Sequence, residues 1–79
     1  MTDTTNQKPI RVLPVGDSGG YMMVPVAQLE QVCELLRAND VPYWVGHYSI
    51  SVDGRPAVVF VNLRQKANPV RVQELLDAA

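Results

Sequence analysis

The chain has 79 residues, 47% of them hydrophobic, and a net charge of −1. This length allows one domain at most, and the apolar fraction excludes an intrinsically disordered chain. A charge near zero supplies no field for nucleic acid or an anionic membrane, so we expect neither as a partner. Cys33 is the single cysteine. It excludes an intrachain disulfide and a zinc site built on thiolates, and we expect no metal and no cofactor.

The first eight residues, MTDTTNQK, are polar and lack the apolar stretch of a signal peptide. They predict a disordered tail at 1–8, followed by a single α+β domain at 9–79. No apolar run approaches the ~20 residues of a membrane span. We therefore expect a cytoplasmic protein.

The first predicted strand covers residues 10–15, where Pro14 indicates a sheet edge or a strand end. A flexible glycine-rich connection follows at 16–20. The apolar residues 21–24 then offer a short antiparallel return strand.

The first helix is predicted from its apolar spacing and begins near Pro25, which suits a first helical turn. Asn39 is a plausible C-cap, and Pro42 prevents continuation. The apolar stripe repeats at i, i+3, i+4 and i+7 and consists of Leu29, Val32, Cys33 and Leu36.

A β-hairpin is predicted around Asp53-Gly54, a dipeptide typical of two-residue type I′ turns. Its arms, 43–52 and 55–63, are rich in β-branched and aromatic residues. A two-residue loop sets the register, and one face then becomes nearly all apolar. The predicted pairs on that face are Val52 with Arg55, Ile50 with Ala57, Tyr48 with Val59, Gly46 with Val61, and Trp44 with Leu63.

The second helix is predicted to begin at Asn68-Pro69, a cap residue followed by proline at the first helical position. The order strand (with an optional second strand), helix, strand, strand, helix then follows. A right-handed crossover places the third major strand in the centre. The predicted fold is an antiparallel ferredoxin-like α+β sheet without its last strand, with two helices on one face.

The opposite sheet face is predicted to be an interface, because it is too apolar for comfortable solvation. We expect a homo-oligomer, most simply a two-fold dimer, or a complex with a larger protein. The predicted interface residues are Tyr43, Val45, His47, Val58 and Phe60.

Basic residues beside the second helix suggest an alternative site. Arg64, Lys66 and Arg71 lie near the helix N-terminus, where backbone amides can hold an anion. A small phosphorylated or carboxylated ligand is therefore a second hypothesis.

The run Gly16-Asp17-Ser18-Gly19-Gly20 resembles the nucleophile signature of chymotrypsin-like serine proteases. In that family the histidine precedes the serine, whereas His47 follows it here, and the chain is far too short for two barrels. We interpret the run as a loop and assign no catalytic residue. A small hydrolase using Ser18 and His47 is the remote third hypothesis.

Three segments resemble a group of small bacterial α+β proteins without an established activity. They are Tyr43-Trp44-Val45, the turn Asp53-Gly54-Arg55-Pro56, and Asn62-Leu63. The topology is also similar to regulatory ACT and PII-like domains, a likeness that implies binding of a small ligand or partner. The leading hypothesis is a non-enzymatic protein-interaction module. The ACT-like anion-binding domain is its alternative.

Overall fold

The protein is a mixed α+β domain, as the sequence predicts. The computed structural model describes residues 1–16, 19–51, 54 and 56–79. The elements in chain order are β1 (Gly20–Pro25), a 3₁₀ turn (Val26–Gln28), α1 (Leu29–Ala38), β2 (Tyr43–Ile50), β3 (Val58–Leu63) and α2 (Pro69–Ala78). Both strand pairs are antiparallel, and the order across the sheet is β1-β3-β2. The prediction that the last major strand is central is confirmed.

Both helices follow their local sequence signals. The α1 stripe buries Val32, Cys33 and Leu36, and Asn39 caps the helix by donating its side-chain amide to the Leu35 carbonyl at 2.8 Å. At α2, the Asn68 side chain accepts hydrogen bonds from the amides of the next turn. Such a cap stabilises a helix by about 1 kcal/mol.

The core lies between the two helices and one side of the sheet, which we call the core face. On this side Met22 pairs with Val61 and Val24 pairs with Val59, and all four side chains are buried. The helices contribute buried residues to the same cluster: Val32 and Leu36 from α1, Val72 and Leu76 from α2. Both helices therefore cover the same side of the sheet.

The first strand is β1 rather than the predicted strand at 10–15. Among the described residues, 10–15 contribute one bridge, in which Leu13 and Tyr21 exchange backbone hydrogen bonds of 2.8 and 3.0 Å. Gly20 has a φ of 145°, and a Cβ there would approach the Leu13 carbonyl oxygen to 2.7 Å. This approach at Gly20 lets the preceding segment fold back along the β1 edge.

Two glutamine side chains hold the N-terminal segment to the helices. Gln73 of α2 accepts from the Val12 amide at 2.8 Å and donates to the Ile10 carbonyl at 3.1 Å. Gln28 in the same way accepts from the Thr4 amide at 2.9 Å and donates to the Thr2 carbonyl at 2.8 Å. Each glutamine side-chain amide thus bonds the backbone carbonyl of one residue and the backbone N–H of the residue two positions later. A neighbouring parallel strand makes the same pair of hydrogen bonds.

Residues 1–8, for which composition predicts a disordered tail, make further contacts in the structure. Asp3 is buried, its amide donates to the Lys8 carbonyl at 2.8 Å, and the Met1 ammonium donates to the Leu76 carbonyl. Asp3 also accepts from the Thr5 amide at 2.7 Å. These contacts are made by polar groups, and composition does not reveal them.

The predicted hairpin register is wrong by one residue. Tyr43 pairs with Leu63 and Val45 with Val61, but Ser49 pairs with Val59, so two extra residues lie in β2 between Val45 and Ser49. The predicted pairing is one residue off on either side of this irregularity. Because side chains alternate along a strand, a one-residue error transfers every side chain to the opposite face. The turn at Asp53 and the predicted pair of Val52 with Arg55 lie outside the described residues.

Candidate functional site

The side of the sheet away from the helices carries an apolar surface, which we call the open face. On this face, β1 pairs with β3 through Tyr21 with Asn62 and Met23 with Phe60. On the other side of β3, β2 contributes the pairs Trp44 with Asn62 and Ile50 with Val58. Paired antiparallel residues share a face. The open face therefore consists of Tyr21, Met23, Trp44, Ile50, Val58, Phe60 and Asn62.

Aromatic side chains lie close together on the open face. The Tyr21 and Phe60 rings meet edge to face, with centroids 5.9 Å apart and an angle of 62° between their planes. This is a favourable aromatic geometry. Gly46 brings β2 close to the centre of the sheet, since a Cβ there would lie 3.4 Å from the Phe60 carbonyl oxygen.

The open face remains substantially exposed. Met23 is 49% exposed, Trp44 47% and Ile50 42%, and the bridged Leu13 beside Tyr21 is 40% exposed. Among the paired positions that the structure describes on this face, none is charged. A contiguous apolar surface of this kind is typical of an interaction site.

Only part of the predicted interface is brought together. Val58 and Phe60 lie on the open face, whereas Tyr43 and Val45 lie on the core face through their pairs with Leu63 and Val61. His47 is exposed within the β2 irregularity. The interface role of these five residues stays a prediction, but Trp44 and Ile50 take the places that Tyr43 and Val45 were expected to occupy.

Trp44 also borders two open depressions, of about 540 and 600 Å³. We call the second one the Trp44 corner: it is lined by Pro42, Trp44, Leu63, Arg64, Gln65 and Lys66. The first adjoins it through Trp44 and continues to Gly19, Gly20 and Tyr21. Among the described residues, no acidic side chain lines either depression.

The predicted anion site is only partly assembled. Arg64 and Lys66 share the Trp44 corner, while Arg71 lies in the first turn of α2 outside that lining. The Val70 and Arg71 amides already donate to the Asn68 side chain, at 2.9 and 3.3 Å. A ligand at the corner would therefore meet the two loop cations rather than the helix amides.

Cys33, Arg37 and Tyr43 form a small polar cluster between α1 and β2. Arg37 donates to the Tyr43 hydroxyl at 3.4 Å. Burial raises the pKa of the Tyr43 phenol, and the neighbouring Cys33 thiol raises it further, while the Arg37 guanidinium acts in the opposite direction. The folded chain therefore holds the proton of this phenol to a higher pH than a free tyrosine does, which follows from its raised pKa. Cys33 is buried, as its place on the apolar stripe predicts.

The serine-protease-like run has no described geometry at its serine, because residues 17 and 18 lie outside the described ranges. No described group of three or more His, Cys, Asp or Glu residues could hold a metal ion. Within the same residues, no helix has the length and apolar character to cross a membrane. No family model, curated protein or solved structure matches the chain.

Sequence reasoning missed Trp44 as a member of the open face. Alternation counted from the predicted turn places it on the core face, but the observed register is already one residue off at Ile50, which pairs with Val58, and this odd shift moves the β2 side chains to the other face. The two extra residues after Val45 leave the alternation unchanged. Gly46 and His47, between long apolar residues, are the one signal that could have indicated an irregular strand.

Proposed function

We propose that the chain is a non-enzymatic interaction module that self-associates through the open face. The observation that supports this most is the contiguous exposed apolar surface formed by Met23, Trp44 and Ile50 around Phe60. Isolated exposed apolar residues are ordinary, but a continuous group on one sheet face is costly to leave in water. We further propose a cytoplasmic setting, where a single free thiol such as Cys33 stays reduced.

The face supports association better than the sheet edges do. On the β1 side, Leu13 already bridges Tyr21. On the β2 side, the irregularity between Val45 and Ser49 interrupts the regular ladder. Bulges and covering segments are common devices that protect a sheet edge against pairing with another chain.

A second copy of the chain is the partner that best fits this chemistry. The paired positions that the structure describes on the open face carry no charge, so none of them selects a partner of opposite charge. An uncharged apolar face is complementary to itself, and a two-fold dimer places the same surface on both sides of the contact.

The size of the face predicts a weak dimer. Three strands of about six residues span roughly 14 by 20 Å at usual strand spacings. In projection, two such faces cover roughly 600 Å², which is below the ~1,200 Å² of stable specific interfaces and is typical of weak, transient contacts. We expect a reversible dimer that forms with increasing concentration, rather than an obligate one.

Sedimentation velocity from low micromolar to millimolar concentration tests this proposal. The wild-type chain should shift from monomer to dimer, and Met23→Lys should remain monomeric because it places an ammonium group on the contact. Val70→Lys is the matched control, since Val70 is 66% exposed on α2, away from the open face.

Three results would change the assignment. A wild-type monomer throughout the range would refute self-association. A dimer that survives Met23→Lys would refute the open face as its contact. A stable complex with a different protein, lost in Met23→Lys, would keep the face and replace its occupant.

A further inference from the structure

The Trp44 corner combines an exposed aromatic ring with two cations. Trp44 is 47% exposed, and it lines the same depression as Arg64 and Lys66. Pro42 and Leu63 add apolar walls, and Gln65 adds a side-chain amide that can donate and accept. Ligand sites in proteins have this composition: apolar walls with a few polar groups that orient the ligand.

The indole ring and the two cations together favour a ligand that has both a planar aromatic group and a negatively charged group. An indole ring stacks on planar aromatic groups, and such stacking is worth about 1–3 kcal/mol per nucleobase. Arg64 and Lys66 provide two positive charges on one short loop, and no described acidic side chain of the lining neutralises them. Two cations match a dianion such as a phosphate monoester.

We propose that the Trp44 corner binds a nucleoside monophosphate, with the base stacked on Trp44 and the phosphate held by Arg64 and Lys66. The corner and the adjoining depression measure about 600 and 540 Å³, within the size range of small-molecule sites. The adjoining depression provides the Asn62 side-chain amide, which can hydrogen-bond a sugar or a base edge.

The free nucleotide is favoured over single-stranded nucleic acid. Both would present a base and a phosphate, but a strand needs a charged groove that follows its backbone. The chain has a net charge of −1, and two basic residues, Arg64 and Lys66, line the described part of the corner. One phosphate fits this arrangement better than a row of phosphates.

Trp44 is the only tryptophan in the chain, so it reports on its own site. We would titrate the full chain with AMP, adenosine and inorganic phosphate, following Trp44 fluorescence and its single indole N–H resonance in NMR spectra. AMP should give saturable changes in both signals. Adenosine and phosphate alone should each bind about tenfold more weakly or not at all, because each keeps only one of the two contacts.

The double variant Arg64→Gln/Lys66→Gln removes the cations and retains the exposed loop. It should weaken AMP binding about tenfold, a change in proportion to two solvent-exposed charge contacts. Arg71→Gln is the matched control, since Arg71 is a basic residue outside the corner, and it should bind AMP as the wild-type chain does. Circular dichroism confirms that each variant is folded.

The proposal fails if AMP gives no saturable change in either signal, or if the double variant binds AMP as tightly as the wild-type chain. A short oligonucleotide that binds more tightly than AMP would overturn the assignment to a free nucleotide. Trp44 belongs to both the open face and the corner, so a second copy of the chain and AMP would compete for it. The titration is therefore also made with Met23→Lys, whose corner lining is unchanged, and this variant should bind AMP at least as tightly as the wild-type chain whether or not the wild-type chain dimerises.

Discussion

The two faces of the sheet have similar apolar composition but different surroundings. On the core face, Met22, Val24 and Val61 are completely buried under both helices. On the open face, Met23, Trp44 and Ile50 leave nearly half of their surface in water. In this sheet, therefore, apolar composition does not distinguish a core from a binding surface. What distinguishes them is the placement of the helices.

Truncating one residue on each face should give the largest contrast. Leu76→Ala removes a completely buried side chain from the core and should lower the free energy of unfolding by about 2–5 kcal/mol. Ile50→Ala, on the open face, should cost about 1 kcal/mol or less, because much of its side chain already contacts water. Urea denaturation followed by circular dichroism measures both losses, at a concentration where the chain is monomeric. Equal losses would contradict the division into a core face and an open face.

The N-terminal segment connects the two faces, and Gln73 holds it in place. Ile10 and Val12 join the core, while Leu13 lies beside Tyr21. Gln73→Ala removes both hydrogen bonds to this segment and should lower stability by about 1–3 kcal/mol, because two polar backbone groups lose their partner. Hydrogen exchange at the Val12 amide should accelerate more than global unfolding requires.

Gln31→Ala is the matched control for that change. Gln31 is an exposed residue of α1, and alanine is at least as good a helix former as glutamine. Its replacement should leave both the unfolding free energy and the Val12 exchange rate nearly unchanged. Unaltered exchange at Val12 in Gln73→Ala would show that apolar packing alone holds the segment.

The smallest expected effect concerns Tyr43 on the core face and appears only at alkaline pH. Burial and the neighbouring Cys33 raise the pKa of its phenol, so the unfolded chain loses this proton first as the pH rises above about 10. The unfolded state then binds fewer protons than the folded state, and the free energy of unfolding falls with increasing pH. Tyr43→Phe should remove this part of the alkaline decline.

Thermal denaturation of the wild-type chain and Tyr43→Phe, at neutral pH and above the ordinary tyrosine pKa, separates this effect from packing. At neutral pH the phenol is protonated in both states, so any difference there reports the lost contact with Arg37. The difference between the two proteins should shrink or reverse at high pH. A constant difference across the range would contradict a raised Tyr43 pKa.

The helices and the strand order could be predicted from the sequence because their signals are local or topological. An apolar residue every three or four positions marks α1, and Asn68-Pro69 marks the start of α2. The central place of β3 follows from the order of elements and from the handedness of crossovers.

The candidate site was predictable only in part. Val58 and Phe60 could be placed on the open face, but Trp44, Ile50 and the Trp44 corner could not. The placement of Trp44 and Ile50 depends on the register of β2 against β3, and strand alternation has a period of two, so an error of one residue reverses the assignment.

The sequence by itself thus determined the α+β class, both helices and the central place of β3. Only the tertiary structure decided which face Trp44 joins, where the N-terminal segment lies, and which strand begins the sheet. The residues that indicate a helix lie three or four positions apart in the same segment, so the sequence shows them directly. Strand register and the two glutamine contacts join residues far apart in the chain, such as Val12 and Gln73, and only the assembled fold brings them together.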